Sequence, residues 1–279
     1  MRRAAPPSAR LRRSGGFALL IVLWTLVLIA FVVLHLTGSG RTEIRIADNL
    51  VANAAAAAAA DGAISEAIFN LSDPRPEQRW PIDGPPRTVA IGDFRVVVRL
   101  EDEASRINPN LASPALTEAL LRVLGSDPDA ARRIAAAIAD WVGSSPTAKT
   151  ADALQAEYRA AGLAYGPPGA PLETMDELGR VLGVTPALYL ALRPHLTLYG
   201  PADPKPGADP IVTAAVAQLP RIGATEAPPA PTPQDVITIR IIAAAVGPDN
   251  AHVTHTAVVR IGSSLPQGYA VLASGNAVD

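Results

Sequence analysis

The sequence predicts an α+β fold: a long N-terminal helix packed on an antiparallel sheet, with a large all-helical domain inserted into that sheet. Three observations carry the prediction. An apolar run from Phe17 to Leu36 leads into a second helical stretch, Arg41 to Leu71, whose apolar residues recur at three- and four-residue steps. Alternating strand patterns stand both at Phe94 to Leu100 and after Val236, and a series of short, capped helices lies between them. A chain of 279 residues with 49% hydrophobic residues is long enough for an anchor plus one or two folded domains.

Five arginines (Arg2, Arg3, Arg10, Arg12, Arg13) and no acidic residue precede the apolar run, which is about as long as a helix needs to cross a bilayer. A cationic flank stays in the cytoplasm, so the rest of the chain after Leu36 is expected outside it. An ordinary secretory signal would be cut after its apolar segment, and Gly38-Ser39-Gly40 offers a small-residue site for that. Gly16-Phe17, by contrast, resembles the site at which prepilin peptidase cuts type IV pilins and the pseudopilins of type II secretion. The resemblance implies a leader, 1–16, and a transmembrane segment, 17–36. It also exposes a departure, because that family carries glutamate at the fifth mature position and this chain has Ile21. Loss of the five leader arginines would take the formal charge from −2 to −7, an acidic balance that disfavours non-specific nucleic-acid binding. With no cysteine, disulfides and thiolate metal sites are excluded.

From Arg41 to Leu71 the apolar stripe comprises Ile44, Ala47, Leu50, Ala54, Ala57, Ile64, Ala67 and Leu71, interrupted by Asp61 and weakened at Gly62. The seven alanines Ala54 to Ala60 give a thin surface that permits close approach of a sheet. Pro74 and Pro76 end the helix. Strands follow at Thr88 to Ile91 and Phe94 to Leu100, joined by Gly92-Asp93 as a two-residue hairpin turn. Glu101, Asp102 and Glu103 are consecutive, and neighbours in a strand point to opposite faces, so they read as a solvated strand end and not as a metal site.

Beyond Asn108 the predicted helices are Thr117 to Leu124, Pro128 to Trp141, Ala151 to Ala161, Leu172 to Leu182 and Pro186 to Leu192. Ser113, Asp127 and Thr185 each precede a proline, the arrangement of an N-cap followed by proline at the first helical position. Two units, Val123 to Pro128 and Val181 to Pro186, resemble each other as helix-hairpin-helix-like turns. Such turns can hold a DNA phosphate, which makes a membrane-anchored DNA-binding protein the alternative function. Asp127 and Asp129 crowd the first turn, so two packed helical hairpins are preferred. After the proline-rich stretch 201–210, a short helix at Ile211 to Leu219 and a second proline-rich loop at Ala227 to Pro233, strands resume at Val236 to Ala244, His252 to Ile261 and Tyr269 to Leu272. His252 and His255 fall on opposite faces of one strand, and His35 and His195 stand far apart in sequence. No nucleophile elbow, phosphate loop or paired-acid signature is present, so no enzymatic activity is expected.

Arg106-Ile107-Asn108-Pro109-Asn110, Asp140-Trp141, Ala170 to Leu178, Gly183 to Pro186 and Leu192 to Gly200 resemble, segment by segment, the type II secretion minor pseudopilin known as general secretion pathway protein K. Ala257 to Tyr269 resembles the end of the same subunit. The resemblance implies residues 37–107 as pilin helix and first strands, 108–200 as the inserted helical domain and 201–279 as a proline-rich connection with the remaining strands. It implies a single-pass inner-membrane protein with periplasmic domains at the tip of the pseudopilus. Its expected partners are the other minor pseudopilins (I and J type), prepilin peptidase and the inner-membrane secretion platform, with no nucleic acid. It also implies calcium in the helical domain, although Val142 to Lys149 has no carboxylate and calcium prefers six to eight oxygen ligands. Asp140, Asp152, Glu157, Glu173 and Asp176 remain as ligand candidates. Retention and loss of the ion both stay open, and no cofactor is required.

The processing site gives the first test. Intact-mass measurement of membrane-derived protein should show a mature chain starting at Phe17, and Gly16→Ala should leave unprocessed precursor. A start after Gly40 would exclude pilin-type processing.

Overall fold

The structure is a computed structural model that describes residues 15–73, 75–146, 149–219 and 236–276, with the backbone alone described at 15, 16, 36–45 and 249. Most of the leader and the loop Ala227 to Pro233 lie outside these residues. The chain divides into two units, Met1–Ala54 and Ala55–Asp279. Helix α1 (Gly15–Leu71) supplies the described part of the first and opens the second. In the first unit every described side chain from Phe17 to His35 is exposed, and this 19-residue stretch is long and apolar enough to cross a membrane.

Within the second unit, α1 buries Ala56, Ala60, Ala63 and Ala67 completely. These residues recur at steps of three and four and so line one face of the helix. The predicted stripe is thus present in its C-terminal half, through Ile64, Ala67 and Leu71, whereas Leu50 and Ala54 in the first unit are exposed. Asp61 turns out to have a partner: its Oδ1 lies 2.7 Å from Nδ1 of His255 on the sheet. Gly62 sits beside Ile91, whose side chain would be 3.2 Å from an added Cβ. Small residues therefore let this helix lie close to the sheet, as its alanine run predicts.

Five strands form one antiparallel sheet in sequential order: β1 (Arg87–Ile91), β2 (Phe94–Asp102), β3 (Val236–Val246), β4 (His252–Gly262) and β5 (Tyr269–Gly275). Ile91 pairs with Phe94, so Gly92 and Asp93 are the two-residue turn, with Gly92 at φ +55°. The decisive pairing is β2 with β3, from Arg95↔Val246 to Asp102↔Ile239, because the whole helical insertion lies between them in sequence. On one face, Val96, Val98 and Leu100 stand opposite Ala245, Ala243 and Ile241, and all six are buried.

The insertion comprises α2 (Pro114–Val123), α3 (Pro128–Val142), α4 (Ala151–Ala160) and α5 (Pro186–Leu192). Ser113, Asp127, Thr150 and Thr185 cap these helices by accepting backbone N–H groups. Their core contains Leu116, Leu120, Ile138, Trp141, Tyr158, Leu178 and Leu192, and α6 (Pro210–Ala217) adds Val212 and Ala215 to it. The expected helix from Leu172 to Leu182 is only a 3₁₀ turn, Met175–Arg180. The reason lies in its first residues. Leu172 donates its N–H to Asn110 Oδ1 at 2.7 Å and accepts at its carbonyl from Asn110 Nδ2 at 3.0 Å, while Glu177 accepts from the N–H groups of Glu173 and Thr174.

The two ends of the insertion are tied together. Ile107 and Leu196 form a parallel bridge, and Asn108 donates from Nδ2 to the carbonyls of Leu198 and Gly200 at 3.1 and 2.9 Å. A Cβ on Gly200 would lie 2.8 Å from the carbonyl oxygen of Glu103, so this close approach requires glycine. Glu103 itself corrects the expectation of a solvated strand end. It lies in a 3₁₀ turn, Glu103–Ser105, its side chain has no exposure, and its Oε1 accepts from Arg240 Nε at 2.5 Å and Arg106 Nη1 at 3.5 Å. The turn rotates Glu103 out of the strand alternation and under β3.

Arg240→Met should leave that buried carboxylate with Arg106 alone and cost about 3–5 kcal/mol in chemical denaturation, while the double variant Glu103→Leu/Arg240→Met should recover most of the loss. Equal losses in the single and double variants would show that the pair does not act as a unit.

Candidate functional site

The residues expected to carry function fall in three places. At the N-terminus, Gly16 lies in the backbone of α1, Phe17 is 74% exposed and Ile21 is 47% exposed. Thr25 donates its hydroxyl to the carbonyls of Ile21 and Val22, so its polar group is satisfied within the helix and adds no free polarity to this surface. A helix that leaves Leu19, Trp24, Phe31 and Leu34 open presents an apolar surface all round, the property of a segment whose solvent is lipid or other apolar helices.

The calcium candidates are not gathered. Asp140, on α3, is buried, and its Oδ2 lies 3.1 Å from Nζ of Lys149. The same ammonium reaches Glu157 on α4 at 3.0 Å. Asp176 accepts from the Tyr189 hydroxyl at 2.6 Å, Glu173 is exposed before the 3₁₀ turn, and Asp152 is exposed in the first turn of α4. Among the described residues, no group of three or more His, Asp or Glu side chains could hold a metal ion. The donor set does not fit calcium, since the two carboxylates that do approach each other share a lysine.

The paired hairpins are structural in detail. Asp127 Oδ1 accepts the N–H groups of Asp129 and Ala130, which are the groups a phosphate would need at the start of α3. In the second hairpin, Val181 to Pro186, Gly183 has φ +85°, and a Cβ there would lie 3.0 Å from Ile134, so this turn packs against α3. The N–H of Leu182 donates to the hydroxyl of Tyr158 at 3.1 Å. Burial raises the Tyr158 phenol above its ordinary range, so it stays a neutral acceptor at physiological pH.

A cleft of about 380 Å³ lies where the sheet meets the insertion, lined by Asp83, Arg99, Glu101, Arg106, His195 and Asp209 among others. His195 Nδ1 lies 2.6 Å from Asp209 Oδ2, and Asp209 Oδ1 caps α6. Several of these groups are engaged with one another: Arg106 with Glu101 and Glu103, and His195 with Asp209. His195 therefore fastens α6 to the end of the insertion. No reacting constellation is assembled in this cleft among the described residues.

Residues 97–202 match the family model described as type II secretion system (T2SS), protein K. Over that segment the chain is similar to the type II secretion system protein K family. The matched segment begins in β2, contains the helical insertion and ends just after Gly200, so it includes the Asn108 and Gly200 closure described above. The chain also resembles a solved structure, the GspK-GspI-GspJ complex from the type 2 secretion system of enterotoxigenic Escherichia coli. The identity is 18%, the match covers 84% of this chain and 98% of that one, and the TM-score is 0.53, a likeness of fold. No curated protein matches the sequence.

Sequence reasoning missed Glu103, Lys149 and Tyr158. Only Lys149 had a readable signal, as the single charge in the otherwise neutral loop after Asp140-Trp141. Tyr158→Phe should lower stability by about 0.5–1.5 kcal/mol, the worth of its hydrogen bond with Leu182, read by tryptophan fluorescence during urea unfolding. An unchanged midpoint would mean that Leu182 N–H finds water instead.

Proposed function

We propose that this chain is the tip subunit of a type II secretion pseudopilus, anchored in the inner membrane before assembly and carrying its sheet and helical insertion in the periplasm. In this reading prepilin peptidase removes the leader at Gly16-Phe17, and the protein initiates or caps the filament together with I and J type minor pseudopilins. The fold likeness to a chain solved with GspI and GspJ supports that choice of partners.

The observation that carries the tip assignment is Ile21. In the family's packing, a glutamate at the fifth mature position receives the N-terminal amine of a neighbouring subunit inside the apolar filament core. An ion left uncompensated after desolvation costs several kcal/mol. Isoleucine offers that amine no partner, so a subunit with Ile21 does not suit a repeating shaft but suits a position with no subunit beyond it. A helical insertion between β2 and β3 supports the same position, since its bulk would obstruct a subunit stacked above.

Cysteines or photocrosslinkers at Ala54 and Ala58, both exposed on α1, provide the experiment. Crosslinks should capture other minor pseudopilins. Regular self-crosslinks along isolated filaments would overturn the tip position while leaving a role in secretion standing. Salt-dependent duplex binding by the full chain would instead support the membrane-anchored DNA-binding alternative.

A further inference from the structure

We infer that the helical insertion carries its own cation: the ammonium of Lys149 stands between Asp140 and Glu157 where a divalent ion would have to bind, and it joins α3 to α4 without metal. Asp140 needs a positive partner, because its side chain is only 5% exposed at the end of α3 and an unpaired carboxylate there would be costly. The described residues of the segment after it, 143–146 and 149, supply one charge, Lys149. Nζ lies 3.1 Å from Asp140 Oδ2, and 3.0 and 3.1 Å from the two oxygens of Glu157. An ammonium has three donors, and three carboxylate oxygens surround this one.

Access does not keep a metal out. Asp140, Lys149 and Glu157 line a groove of about 490 Å³, with Arg133, Ile134 and Leu182 among its other walls. A divalent ion entering there would meet two positive side chains and would have to displace one of them. Calcium would also need carboxylate oxygens at about 2.3–2.6 Å and several further ligands, which these two helices do not present. The lysine therefore does two things at once: it neutralises the buried acid, and it links the segment after α3 to the second turn of α4.

The test uses the full-length chain in detergent. Equilibrium dialysis with calcium should show no saturable binding to the wild type, and its unfolding midpoint should be the same in calcium and in EDTA. Lys149→Gln should lower the midpoint by about 1–4 °C, as expected for a part-exposed ion pair in a domain of this size. Lys149→Asp, which replaces the ammonium by a third carboxylate, should fall further in EDTA and regain stability in millimolar calcium, with one ion bound. Stoichiometric calcium binding to the wild type, or a calcium-dependent midpoint, would overturn the inference. So would a Lys149→Asp chain that neither loses stability in EDTA nor takes up calcium.

Discussion

The pairing of β2 with β3 is the constraint on which the rest of this structure depends. Two strands far apart in sequence must meet in register, and everything between Asp102 and Val236 is a loop that has to close. Loop closure costs only about 0.6 kcal/mol for each doubling of length, so an insertion of this size is tolerable if its ends are held. Asn108 holds them, with two donated bonds to Leu198 and Gly200, and the Ile107–Leu196 bridge adds backbone bonds at the same place. Asn110 then carries the closure inward by bonding both backbone groups of Leu172. The insertion can thus complete its own core while presenting β2 and α6 at nearby points.

A buried charge pair at the same junction sets the register. Glu103 leaves β2 in a 3₁₀ turn, and Arg240, opposite Glu101 on β3, reaches it. A slip of one residue would send every side chain of β3 to the other face. It would place Ile239 or Ile241 where Arg240 stands and leave the Glu103 carboxylate without its main partner. A hydrophobic pair could fill the same space at comparable stability, but it would punish a slipped register far less. Glu101 and Glu103 both pair with Arg106, which follows directly on the 3₁₀ turn Glu103–Ser105.

Much of the architecture was legible because its signals are local. Gly92-Asp93 fixed a hairpin, Ser113, Asp127 and Thr185 fixed helix starts, and the alternation at Phe94 to Leu100 fixed which residues of β2 are buried. What could not be read depends on contacts between distant residues. Leu172 looks helical until Asn110 takes its backbone groups, and Glu103 looks solvated until Arg240 arrives from a strand beyond the insertion. The alanine run showed a thin helix but not its buried side, since seven identical residues carry no phase; the sheet selects Ala56, Ala59 and Ala60. Asp140 and Glu157 follow the same pattern, because proximity in sequence says nothing about which carboxylates Lys149 will claim.

The two ends of α1 obey opposite rules, and the difference bears on how the chain is used. In the second unit the helix buries alanines, whose loss of apolar area is small for each residue but whose thinness allows close packing. In the first unit it displays leucine, isoleucine, valine, phenylalanine and tryptophan on all sides, with exposures from 45 to 76%. No water-exposed helix tolerates such a surface without a second solvent, and a run of this length and composition can cross a membrane. Ile21 belongs to that uniform surface. A glutamate at its place would have to find a cationic partner in every apolar environment the helix enters, whereas isoleucine needs none.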